Sequence, residues 1–232
     1  MKNIVVLISA NSEWRAVKEI LSGHAPQIVS TPVGESFNLQ LASFDLVFLH
    51  GGWGKISAAA TAQYAIDHFR ADLLVNLGTC GGLDGRIETG AVLLVERTLV
   101  YDIIEQMGDP QAALEHYSAK LDLSWLDGLP LPAGVQRGLM VSADRDILRE
   151  DVPMLIERFD AVAGDWESGA IAWVANRNSV RCLILRGVTD IVSPDGGEAY
   201  GNIDLFHQRT KTVMGNLIEM LPQFLSHSAL AP

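Results

Sequence analysis

Short apolar runs rich in Val, Ile and Leu recur along the chain and alternate with stretches whose apolar positions fall at helical spacing. That alternation predicts an α/β protein whose sheet is covered on both faces. Strands are expected at Ile4–Ile8, Leu46–Leu49, Leu73–Leu77, Ala91–Val100, Val135–Val141 and Cys182–Val188. Helices are expected at about Ser12–Leu21, at Lys55–Phe69 with Ala59, Ala62, Ile66 and Phe69 on one face, at about Glu167–Arg177, and at Asp204–Leu225. The stretch from about Asp102 to Pro132 breaks the rhythm at "GDP" and again at "LDGLPLPAG". It reads as an excursion from the sheet, partly helical around Gln111–Leu121, inside one domain with no internal repeat.

Composition narrows the possibilities. With 48% hydrophobic and 19% charged residues, 232 residues can bury a large core. A net charge of −11 with no Lys/Arg run argues against a nucleic-acid partner, which needs a basic face. The apolar run at the N-terminus is short and meets polar residues at once, so it reads as a strand, and no membrane span is expected. Cys80 and Cys182 each sit in or beside an apolar strand, as free thiols of a reducing cytoplasm do. The six histidines show no ligand-like spacing, and no metal site is expected.

Ligands of α/β sheets gather at the carboxyl ends of strands, where five polar or glycine-rich stretches stand out. "GTCGGL" (residues 78–83) follows an apolar strand and offers backbone N–H groups and the Thr79 hydroxyl to a ribose, a phosphate or a water, or else makes a tight turn. It is neither a dinucleotide fingerprint nor a P-loop. In "GDWESGA", Asp165 and Glu167 stand at a helix start, where the helix dipole favours acids, or else Glu167 is set to accept two hydroxyls of a sugar. In "LILRGVTDIV", Asp190 either caps a turn or acts as a proton donor, and Arg186, inside an apolar strand, needs an anionic partner. "SANSEWR" and "SADRDI" complete the set.

In this order, "SANSEW", "GGWGKISAAA", "NLGTCGGLDGRIETGAVLLVE", "RGLMVSADRDI", "DWESGAIA" and "LRGVTDIV" resemble the nucleoside phosphorylase/nucleosidase superfamily, and within it the bacterial 5′-methylthioadenosine/S-adenosylhomocysteine nucleosidase branch. The resemblance implies a single-domain three-layer α/β/α fold with a central mixed, partly barrel-like sheet. It also implies hydrolysis of a purine nucleoside without a cofactor, and a homodimer or higher homo-oligomer. By it, Asp190 protonates the departing purine and Glu167 holds the ribose hydroxyls. Thr79, Cys80 and Gly81 lie beneath the sugar and the attacking water, with Arg186 in support. Ile147 and the 142–146 backbone border the base, Trp166 stands beside the ribose, and Lys55 marks the branch or is only a solvated first-turn residue.

Two positions depart from the family pattern. An ungapped match puts Trp14 where the water-activating carboxylate belongs, with Glu13 one residue earlier and about 100° away around a helix. Asp146 replaces an aromatic residue that stacks on the purine, leaving Trp53, Tyr101, Trp166 or a partner subunit to supply a ring. Hydrolysis with Glu13 as base leads. Phosphorolysis, with phosphate as co-substrate held by Arg15, Arg186 and Thr79, and a nucleoside-binding protein without turnover are the alternatives.

Overall fold

The computed structural model describes residues 2–193, 195–198 and 201–227. Its first half carries β1 (Ile4–Ile8), α1 (Asn11–Ile20), β2 (Val29–Thr31), β3 (Gly34–Leu41), β4 (Phe44–His50), α2 (Lys55–Phe69), β5 (Leu73–Leu83) and β6 (Val92–Val100). The second half carries α3 (Pro110–His116), β7 (Ser118–Lys120), β8 (Val135–Ser142), α4 (Val152–Phe159), β9 (Ala161–Asp165), α5 (Ser168–Arg177), β10 (Arg181–Ser193), β11 (Gly196–Gly197) and α6 (Ile203–His227).

The strands share one mixed sheet. β5, β10, β6, β8 and β9 pair in sequence, and β9 returns to β5, so these five form a closed ring. From β5 the sheet continues outward through β1, β4, β3 and β2. Closure leaves no bare edge in the ring, and β5, β6 and β10 are mostly apolar because both faces are covered, which makes Asn76 and Arg186 conspicuous. On β10, neighbouring residues face opposite sides, as a strand requires. Arg186 turns toward Ser168 at the start of α5, and Gly187 toward Val213 of α6. Helices therefore cover both faces, with α1 against α6 and α2 against α5.

Several expectations need correcting. "GTCGG" reads as a loop, yet β5 runs on through it to Leu83. The glycines are what permit this: a Cβ on Gly82 would lie 2.6 Å from Ile87 and 2.9 Å from Val188. β10 likewise passes Val188 to Ser193, after a bulge between Val188 and Asp190. The buried stripe of α2 is Ala58, Thr61, Ala62 and Ala65, with Ile66 and Phe69 at its margin, because small residues admit the closest approach to neighbouring chain. The 102–132 excursion holds the short helix α3, and then β7 returns to pair with β6. No helix among the described residues is long and apolar enough to cross a membrane.

Gly187 is the tightest joint between β10 and α6: a Cβ there would fall 2.2 Å from the Val213 Cγ1. Overpacking of this kind costs about 1–3 kcal/mol. Gly187→Ala is expected to lower the unfolding free energy from urea denaturation by that amount, and an unchanged value would show that α6 can yield.

Candidate functional site

Arg186 has no exposed surface. Its Nη2 lies 3.0 Å from Asp165 Oδ2 and donates to Asn76 Oδ1 at 2.8 Å, while Nε donates to Ser168 Oγ at 3.0 Å and Nη1 to the Thr79 carbonyl at 3.2 Å. Glu167 Oε2 and Glu13 Oε1 stand 3.5 and 3.7 Å away. The anionic partner that the buried arginine demanded is thus three carboxylates. Asp165 is itself fixed by the Ser142 hydroxyl at 2.6 Å and by the Ser168 N–H and hydroxyl. Room for the guanidinium comes from Gly78, which pairs with Arg186 across the sheet: a Cβ on Gly78 would lie 2.1 Å from Nη1 and 2.8 Å from Glu13 Oε1.

The first turn of α1 settles which of its residues faces this centre. Glu13, third residue of the helix, reaches back to accept the Ala10 N–H at 3.1 Å, the reciprocal half of a capping box. Its Oε1 accepts the Thr79 N–H at 2.6 Å and the Thr79 hydroxyl at 2.9 Å. Trp14, one step around the helix, packs instead on Phe37 and His50 and donates to Glu35 at 2.6 Å. Glu13 therefore reaches the cavity from its own position, with Trp14 rotated into the core.

Asp190 arrives by another device. The bulge at Thr189 inserts one residue into β10, leaving Asp190 opposite Gly81. The Thr189 hydroxyl donates to Asp190 Oδ1 at 2.9 Å, and Arg209 of α6 holds the Thr189 carbonyl at 2.7 Å. Asp190 is thus a strand residue, not a turn cap.

Glu167 immediately precedes α5, and its side chain does not cap that helix. It accepts the Gly54 N–H at 3.0 Å. Burial pushes its carboxyl up to about 7, with Asp165 and Glu13 adding to the rise and Arg186 opposing it. Burial also pushes the Cys80 thiol up, which makes it a neutral wall residue.

These groups line one cavity of about 560 Å³, within the range for small-molecule sites. Glu13, Thr79, Cys80, Gly81, Asp146, Ile147, Trp166, Glu167 and Asp190 all lie on its wall. Arg186 lies behind it. In place of the missing stacking residue the cavity carries Trp53 and Trp166, whose rings meet edge-on at 5.3 Å. Tyr101 sits behind Arg145, which covers its ring at 5.1 Å. Asp165, legible in the sequence only as an acid at a helix start, is on the wall as well, whereas Asn76 and Ser168 were not singled out by the sequence. Asn76 did leave a signal, a polar residue inside the apolar run "LLVNL".

The profile of the phosphorylase superfamily matches residues 6–226, and the chain belongs to that superfamily. A protein of Listeria welshimeri named 5′-methylthioadenosine/S-adenosylhomocysteine nucleosidase is 24% identical over 88% of this chain and 93% of its own length. Among solved structures, the nucleosidase of that name from Neisseria meningitidis, in complex with methylthio-immucillin-A, superposes with a TM-score of 0.76 at 23% identity, covering 97% of this chain and 99% of the other. The futalosine hydrolase of Helicobacter pylori superposes with a TM-score of 0.77 at 16% identity, covering 97% of each.

Two outcomes follow from the geometry. Gly78→Ala places a methyl group on the Arg186 guanidinium, so it should abolish ligand binding at this cavity in calorimetry while far-UV circular dichroism stays native. Retained binding would mean that the carboxylate cluster is not held by that contact. Because the Glu167 pKa is raised on folding from 4.5 to about 7, its contribution to stability is present below pH 4.5 and is lost as pH rises through 7. Glu167→Gln should flatten the fall in unfolding free energy across that window, and an unaltered slope would contradict the assignment.

Proposed function

We propose that this chain is a purine nucleosidase that hydrolyses the N-glycosidic bond of a 5′-substituted nucleoside. The observation that carries the choice of water over phosphate is the Glu13 carboxylate on the Thr79 N–H and hydroxyl. Those are the donors a phosphate would need, and they are taken. Arg186 is saturated by protein acceptors, and Arg15 lies exposed on α1, away from the cavity wall. Three carboxylates around one guanidinium also repel an anionic nucleophile.

Glu13 acts as general base. Its Oε2 accepts one bond, from Ala10, and keeps an acceptor position for a water. That water adds to the anomeric carbon from the face opposite the base, as the bond to the purine nitrogen breaks. Asp190 delivers a proton to N7, so the base leaves neutral. Glu167 accepts the ribose hydroxyls and, with the surplus negative charge around Arg186, stabilises the oxocarbenium-like sugar. Asp146 and Ile147 border the base, and Trp166 flanks the ribose. The chemistry needs no cofactor.

Trp53 and Ile56 flank Lys55, Ile104 and Met107 follow Asp102, and all four are exposed. The Lys55–Asp102 pair ties the two segments together beside the cavity wall that Trp53 joins. An apolar patch in that place suits a second copy of the chain, and the homodimer is the proposed assembly. Two buried, unpaired cysteines support a cytoplasmic location.

The test is release of free base in phosphate-free buffer from 5′-methylthioadenosine, S-adenosylhomocysteine, futalosine, adenosine and inosine. Base and free sugar are expected from at least one 5′-substituted nucleoside, with Asp190→Asn lowering kcat by about 10²–10⁴-fold. A sugar 1-phosphate formed only with phosphate would establish phosphorolysis instead. Tight binding without turnover would leave a binding protein.

A further inference from the structure

Lys55 opens α2, where a cation meets the positive end of the helix dipole and is disfavoured. It is not solvated either, since its side chain is only 19% exposed. A desolvated cation at the wrong end of a helix needs a reason, and its contacts supply one. Nζ pairs with Asp102 and stands 3.7 Å from Asp144. The Lys55 N–H donates to Asp144 Oδ1 at 2.7 Å, and the Asp144 N–H donates to Asp102 Oδ2 at 3.0 Å. Three residues from three segments close one cycle.

Each segment carries something to the cavity. The first presents Trp53 to its wall and the Gly54 N–H to Glu167. Gly54 holds that N–H in place with a φ of +85°, a conformation other residues rarely adopt. The segment of Asp144 carries Arg145, Asp146 and Ile147, and that of Asp102 carries Tyr101, on which Arg145 rests. None of the three clamp residues lies on the cavity wall.

We infer that Lys55, with Asp102 and Asp144, is a positioning residue that holds the Gly54 N–H on Glu167 and keeps the Trp53 and Arg145 segments on the cavity wall. Its kinetic consequence rests on the nucleosidase reading above. Its structural consequence does not. The Gly54 N–H favours the ionised Glu167, which otherwise faces Arg186 from β10, Asp165 from β9 and Glu13 from α1. Releasing it must make the carboxylate harder to ionise and less well aimed at the sugar.

Lys55→Met, Lys55→Arg and Asp144→Ala in the full chain test this, the last guarding against a Lys55→Met protein that does not fold. Two readouts are taken: amide hydrogen exchange at Gly54, and the pH profile of kcat/KM for 5′-methylthioadenosine. Lys55→Met and Asp144→Ala should speed exchange at Gly54, lower kcat/KM about tenfold and move its acid limb to higher pH. Lys55→Arg should restore most of both. Unchanged exchange with kcat/KM within twofold of wild type overturns the proposal. So does a loss of activity with the acid limb unmoved and no rescue by arginine, since that marks a role in the fold alone. If wild type releases no base, yet exchange at Gly54 accelerates in Lys55→Met, the clamp stands and the nucleosidase reading falls.

Discussion

A guanidinium with no exposed surface cannot shed its charge, and the burial of Arg186 is the constraint around which this site is built. Leaving it unpaired would cost several kcal/mol, so four segments of chain converge on it with acceptors. Asp165 lies against it from the end of β9, Asn76 and the Thr79 carbonyl from β5, Ser168 from α5, and Glu13 and Glu167 stand just beyond. The acids outnumber the cation. Burial first, and then that surplus, keeps Glu167 reluctant to ionise, and the surplus makes the cavity welcoming to positive charge and hostile to phosphate.

The closed ring of strands lets this cluster do two jobs at once. β5 is common to both: Thr79 holds Glu13, while Gly81, two residues on, lies across from Asp190. The bulge at Thr189 sets Asp190 apart from the arginine cluster only four residues upstream, so one strand supplies a buried cation and a separate acid. Arg209 secures the carbonyl of the bulged residue. The spacing of Thr79, Arg186 and Asp190 is therefore a property of strand pairing.

What could be read from the sequence follows from what burial does to composition. Ile4–Ile8, Lys55–Phe69, the strand around Arg186 and the helix start at Glu167 were legible because apolar runs are long and polar residues in or beside them conspicuous. The β2–β3 hairpin was not, since "GESFNLQL" lies half exposed at the far edge of the sheet and mixes both characters. β9 hid in the small residues "AVAGD", and α4 behind Pro153. "GTCGG" passed for a loop because glycine is a poor strand former alone, and here partner strands override that preference. Glu13 could be named, but its aim depended on the phase of one helical turn. Lys55 could be seen and not interpreted, because Asp102 and Asp144 are distant in sequence and met only through the fold.

The contact between Gly78 and Arg186 joins two positions 108 residues apart into a single unit of inheritance. While the arginine is held in place, any side chain at Gly78 must displace the guanidinium or Glu13, so even alanine there is a severe change. Once the arginine is lost, the glycine is released to drift, and a bulkier residue settling in its place would bar the arginine from returning. The step is a ratchet. A lineage that leaves this chemistry by that route keeps the scaffold and closes the way back.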